Sequence, residues 1–320
     1  MKSKILILGS EGYLGCTLIP LLIKKYKAEN LLGIDNCYFG KNNIYKDFKI
    51  IKKSVSKIKL KDLQNIHTII DLANISNDPA SELDPNFTKV NNYSNKVRLI
   101  KMLKKINYFS KYIYVSSCSV YGFNDKFVNE KSKTNPISLY AKYCLKTENF
   151  LRSNLKNKYS IIRLGTLYGW SKRMRYDIAI NKIIRDAIFL KKVEVNGGLQ
   201  FRFFCNNKLA AESIIKLMDE KLENHIFNVG NINLNLNTLV KYIAKYIKVK
   251  NLQIISDKFN VDSRSYKVSK DKLDKHFGNI LKGYDFKKTV IETYRNIKKD
   301  KFPFAENKIT LNIYKKIFKN

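Results

Sequence analysis

Gly9-Ser10-Glu11-Gly12-Tyr13-Leu14-Gly15 follows the apolar run at 4–8 and opens a segment with Leu14, Leu18, Leu21 and Leu22 on one helical face. A strand that turns into a helix through three glycines leaves the fold little freedom. One glycine makes the tight turn, one lets backbone approach a ligand, and one lets helix and strand pack closely. The helix start presents free N–H groups and the positive end of its dipole, which suits a pyrophosphate. Asp35 closes the next run, 31–35, 20 residues after Gly15. A carboxylate there accepts hydrogen bonds from the hydroxyls of an adenosine ribose and repels a 2′-phosphate. This stretch therefore predicts a dinucleotide-binding unit that takes NAD, with Gly9, Gly12, Tyr13, Leu14, Gly15, Asp35 and Asn36 around the cofactor.

The alternation continues down the chain. Residues 68–72, 112–116 and 160–164 read as buried strands, and 86–105 and 140–155 as helices. Strands alternating with helices predict an α/β fold, a doubly wound parallel sheet of the Rossmann type. After about residue 165 the pattern loosens: 177–190 and 236–247 read as helices, 193–195 as a short strand, and 226–229 as a strand returning to the main sheet. The expected organisation is an NAD-binding domain over 1–165 and a smaller substrate-binding α/β portion over 166–300, interleaved with the main sheet. A basic, aromatic C-terminal tail over 301–320 has no role assigned by its sequence.

Composition narrows the partners. The 61 basic residues against 27 acidic ones give a formal charge of +34, which could mark a phosphate-rich partner. Only nine of those residues are arginines, and the lysines occur in every segment, so a charge spread over solvated faces is the simpler reading. No nucleic-acid-binding signature accompanies it, and no specific nucleic-acid partner is expected. No apolar run approaches the roughly 20 residues that cross a bilayer, and no membrane association is expected. Met1-Lys2-Ser3-Lys4 and the short run after it read as a first strand rather than a signal peptide. Cys16, Cys37, Cys118, Cys144 and Cys205 lack CxxC spacing and fit the reduced thiols of a cytoplasmic protein. His67, His225 and His276 show no ligand spacing, and no metal site is expected.

Further stretches carry a resemblance. The spacing GxxGxxG, Asp71-Leu72-Ala73, Asn74-Ile75-Ser76-Asn77-Asp78-Pro79, and Val90-Asn91 with Leu99 occur in order. Ser116-Ser117-Cys118-Ser119-Val120-Tyr121-Gly122, Arg163-Leu164-Gly165-Thr166-Leu167-Tyr168-Gly169, Gly197-Gly198-Leu199-Gln200-Phe201-Arg202 and Asp262-Ser263-Arg264-Ser265-Tyr266 follow. Together they resemble the extended short-chain dehydrogenases/reductases, in particular the NAD-dependent epimerase/dehydratase family that acts on nucleotide sugars. The resemblance implies Leu72 and Ala73 beside the cofactor and Thr166, Arg202 and Arg264 beside the substrate. Guanidinium forks suit a diphosphate. A helix-packed homodimer is a common assembly of such proteins.

By the same resemblance Tyr140 exchanges the proton of a substrate hydroxyl, and Ser117 hydrogen-bonds that hydroxyl. A lysine four residues after the tyrosine, on the same helical face, would lower its pKa. Here that position is Cys144. A tyrosine with its ordinary pKa near 10 is only about 0.1% phenolate at pH 7, so the departure bears on catalysis. Cys118 and Ser119 stand where dehydratases of this family carry an Asp-Glu pair, which argues against dehydration. The expectation is an NAD-dependent epimerase or oxidoreductase of a nucleotide sugar, for surface polysaccharide biosynthesis. The alternative is a catalytically impaired protein of the same fold that binds NAD and nucleotide sugar.

Overall fold

The computed structural model describes residues 4–318, apart from 44, 77, 107, 221–223 and 258–263. The readings at Met1-Lys2-Ser3, Asn77, Asp262 and Ser263 lie outside the described residues. In chain order the strands are β1 (Lys4–Leu8), β2 (Leu31–Asp35), β3 (Lys49–Lys52), β4 (Ile66–Asp71), β5 (Lys111–Ser117), β6 (Phe123–Val128) and β7 (Tyr159–Leu164). They continue with β8 (Thr166–Tyr168), β9 (Lys192–Asn196), β10 (Phe201–Asn206), β11 (His225–Val229), β12 (Ile232–Asn235), β13 (Gln253–Asp257) and β14 (Ser265–Val268).

Seven of them form one parallel sheet in the order β11-β7-β5-β4-β1-β2-β3. The order reverses between β1 and β4, and at such a switch point the crossovers diverge and leave a crevice at the carboxyl ends of the strands. Helices Gly15–Tyr26 and Asn207–Asp219 cover one face of the sheet, and Asn95–Leu103 and Leu139–Asn154 the other. The central strands are buried on both faces, which explains their near-continuous apolar sequence. β8, β10 and β12 make a small second sheet, β9 pairs with β13, and β6 with β14. Helices Ala179–Phe189, Leu236–Ile247 and Phe286–Ile297 pack around a second apolar core beside the small sheet. β11 pairs with β7, so the later half of the chain does return to the main sheet.

Two departures from the sequence reading bear on function. The helix read over 86–105 contains a π-turn, Val90–Ser94, between Pro85–Lys89 and Asn95–Leu103. Asn92 is buried there and accepts a hydrogen bond from Ile75 N at 2.8 Å. The basic tail contains helix Thr310–Ile317, docked by Leu311, Tyr314, Ile317 and Phe318 against Ile75, Ala80 and Phe87. Its sequence has apolar residues on one face only, and burial of that face makes a helix of a segment read as unassigned.

Candidate active site

The switch-point crevice has a volume of about 620 Å3. β1 delivers Gly9 into it with φ +78°, a conformation that costs glycine little. A Cβ at Gly9 would meet Ala73 N at 2.9 Å, and one at Gly15 would meet Ser10 O at 2.3 Å. These two glycines let the turn pack on the end of β4 and on the first helix. Gly12 differs: a Cβ there meets only Gly9 O, at 3.3 Å, and the residue faces the crevice. No side chain caps helix Gly15–Tyr26 at Leu14, which also lines the crevice. The backbone of this turn fits the pyrophosphate of a dinucleotide.

Asp35 ends β2 on the same rim. Its Oδ2 accepts from Glu11 N at 2.9 Å and its Oδ1 from Cys37 N at 2.7 Å. Burial raises its pKa, and those two N–H donors work against the rise. Asn36, Leu72 and Ala73 line the crevice as well. Tyr13 does too, but its hydroxyl is spent inside the protein, donating to Gly169 O and accepting from Asn181 Nδ2 at 3.1 Å.

On the other side Tyr140 and Ser117 meet. Ser138 caps helix Leu139–Asn154 by accepting from Ala141 N at 3.2 Å, and Tyr140 N donates to Ser81 Oγ at 3.1 Å. The helix buries Tyr140, Ala141, Cys144, Thr147, Glu148 and Leu151, a stripe at i, i+3 and i+4 spacing. The Ser117 hydroxyl is in hydrogen-bonding reach of the Tyr140 phenol and favours its ionised form. Burial dominates, however, and with Cys144 and Asp78 nearby it holds the phenol well above its usual pKa. Beneath, Glu148 grips Arg163 through both carboxylate oxygens, with Nη2–Oε2 at 2.6 Å, and accepts from Ser116 Oγ at 2.5 Å. Arg163 Nη1 in turn donates to Tyr121 at 3.0 Å. This buried network ties the helix to the ends of β5 and β7.

Cys144 does not face the crevice. It is fully buried behind Tyr140, and its thiol is pushed up to about 12 by desolvation. At the position of the family's lysine the chain thus carries a neutral thiol that is closed to the crevice and packs behind the phenol. Thr166, Arg202 and Arg264 line the same crevice. Both arginines also have protein partners. Arg202 Nη1 donates to Phe201 O at 2.9 Å and to Arg264 O, and Arg264 Nη1 pairs with Asp78 Oδ2.

The model of the NAD-dependent epimerase/dehydratase family matches residues 5–230. The chain belongs to that family. An uncharacterised protein of Methanocaldococcus jannaschii is 29% identical over 276 residues, 78% of this chain and 83% of the relative. A UDP-N-acetyl-α-D-glucosaminuronate decarboxylase of Bacillus cytotoxicus is 28% identical over 252 residues, 72% of this chain and 75% of the relative. Among solved structures, the UDP-glucuronic acid 4-epimerase of Bacillus cereus, in complex with UDP-glucuronic acid and NAD, superposes with a TM-score of 0.78. It is 22% identical and aligns over 92% of this chain and 99% of its own. NAD is the cofactor of this family of nucleotide-sugar epimerases and dehydratases.

Within this family fold, sequence reasoning missed two features. Lys96, only 1% exposed, donates from Nζ to Asp71 Oδ2 at 2.6 Å and to Ala73 O at 2.7 Å. It lies 5.1 Å from the centre of the Tyr114 ring and acts on the Cys144 thiol as a nearby cation. The available signal was a lysine on the helical face of Leu99, Ile100 and Leu103. The second is Arg173 with the C-terminal helix, which meets the opposite end of the crevice. Arg173 lies in Ser171-Lys172-Arg173-Met174-Arg175-Tyr176-Asp177, a stretch that resembles a pattern of the family without giving each residue a role. Its contact with the C-terminal helix had no local signal because it spans more than 130 residues of chain.

Proposed function

We propose that this protein exchanges hydride and proton at a hydroxyl-bearing carbon of a nucleotide sugar, as an epimerase or oxidoreductase, and so supplies a sugar for surface polysaccharide. The supporting observation is that Tyr140, Ser117, the glycine turn and Asp35 all open on one crevice. NAD in that crevice supplies hydride transfer. Gly9, Gly12, Tyr13, Leu14, Gly15, Asp35, Asn36, Leu72 and Ala73 would hold it, with the ribose hydroxyls at Asp35. Tyr140 Oη holds the proton that the sugar oxygen gains or loses, and Ser117 Oγ orients that oxygen. Thr166, Arg202 and Arg264 bind the sugar nucleotide. Burial keeps the phenol protonated in the cofactor-free site, so the acid role comes readily to it. Cys118 and Ser119 offer no carboxylate for eliminating water.

One observation favours a second reading, in which the protein binds NAD and nucleotide sugar without turnover. No ammonium follows Tyr140 on its helix face, and Cys144 fills the position. Proton NMR of a nucleotide-sugar panel in D2O separates the two. Wild type should convert one member of the panel, Tyr140→Phe should not, and Cys144→Lys should convert it faster at neutral pH. Nucleotide binding without conversion, in wild type and in Cys144→Lys alike, would establish the second reading.

A further inference from the structure

Arg173 is buried, with 4% exposure, and no carboxylate hydrogen-bonds it among the described residues. Its Nη2 donates to Thr310 Oγ1 at 3.2 Å, and its guanidinium carbon sits 3.9 Å from the centre of the Phe39 ring. Its Nε has no hydrogen-bond partner among the described residues. Loss of hydration lowers its pKa to about 10, with the like charge of Arg175 adding to the effect and the Asp177 carboxylate opposing it. A desolvated cation with an idle donor is expensive unless an anion comes to it. The crevice it lines is the one that also holds Gly12, Leu14 and Asp35.

The chain end holds this cation in place. Tyr176 N donates to Lys308 O at 2.8 Å, and Tyr176 OH to Asp300 Oδ2 at 2.6 Å. Lys308 Nζ clasps both Asp300 oxygens at 2.6 Å. Helix Thr310–Ile317 then runs along the rim. Tyr314, itself buried, meets Tyr38 and Phe39 edge-on, with ring centres 6.4 and 6.0 Å apart. These rings line the crevice on the Asp35 side, where the adenosine is expected.

We infer that helix Thr310–Ile317 is a working wall of the cofactor site: Arg173, braced by Thr310, receives the negative charge of the dinucleotide's phosphates, and Tyr314 closes the adenosine end. The inference rests on the NAD reading of the crevice. It gives the last helix a share in cofactor affinity that the family match at 5–230 does not include.

Calorimetric titration of NAD, and separately of ADP-ribose, into cofactor-stripped full-length protein tests it. Tyr314→Ala and Arg173→Met should each weaken both ligands tenfold or more, while Tyr314→Phe stays within threefold of wild type. Arg173→Met should also raise the melting temperature of the cofactor-free protein, since it removes a desolvated charge that shares the Asp177 carboxylate with Arg175, yet shrink the stabilisation by NAD. A merely structural arginine would lower the first and leave the second unchanged. Should a variant fail to fold, trypsin cleavage in the lysine-rich 298–316 segment of wild type serves instead, and NAD should slow it at least fivefold. Affinities within twofold of wild type in both variants, or cleavage indifferent to NAD, would overturn the inference. Wild type that binds neither ligand would sink the NAD reading itself, a separate failure.

Discussion

Replacing Lys96 with methionine tests whether the buried pair with Asp71 is formed as described. Both side chains are almost without exposure, 1% for Lys96 and 0% for Asp71. Removing one partner of a buried ion pair leaves the other charge uncompensated, at a cost of about 3–5 kcal/mol. Asp71 retains two other donors, Tyr112 OH at 2.6 Å and Ala73 N at 3.1 Å, so the lower end of that range applies. We expect Lys96→Met to lose about 3 kcal/mol in urea unfolding at pH 7. The double variant Lys96→Met/Asp71→Asn, which removes both charges, should recover most of the loss, because desolvation of a pair offsets much of its attraction. Ala73, which lines the crevice, loses the donor to its carbonyl in both variants, and both should bind NAD several-fold more weakly. A loss below about 1 kcal/mol for Lys96→Met would refute the pairing, since a charge pair worth so little is one exposed to water. A double variant no more stable than the single one would refute the electrostatic account and leave only packing.

Two further outcomes follow from the geometry. Gly15→Ala places a methyl group against the backbone of Ser10 and should lower the melting temperature by several degrees, whereas Gly12→Ala should leave it within about one degree while weakening NAD at least tenfold in calorimetry. Asp177 sits in a charge-assisted contact with Arg175 at 2.7 Å, and that guanidinium holds its carboxyl below the usual range against the opposing effect of burial. A depressed folded-state pKa contributes stability that is complete above the unfolded value near 3.9 and is lost as pH falls through the folded value. Urea unfolding should therefore weaken on acidification below about pH 4, with a shallower slope in Asp177→Asn; identical slopes would contradict the contact.

The sequence by itself determined the frame of this protein. Strand, glycine turn, helix and Asp35 are consecutive in the chain, and their geometry follows from local rules: glycine at a positive φ, apolar runs of strand length, and helical periodicity. The parallel sheet followed from the alternation, and the order of the motifs singled out Tyr140, Ser117, Arg202 and Arg264, which the fold brings to one crevice. The tertiary structure alone decided which charges end up buried together. Lys96 and Asp71 are 25 residues apart, and Arg173 and Thr310 are 137 apart. Neither pair has a periodic signature, because each depends on how two helices pack against one crevice. Cys144 is the same case in reverse: its helical face could be read from its spacing to Tyr140, but that it lies behind the phenol, closed to the crevice, is a matter of packing depth. Spacing along a chain fixes direction around a helix; only the neighbours fix how far a side chain stands from water.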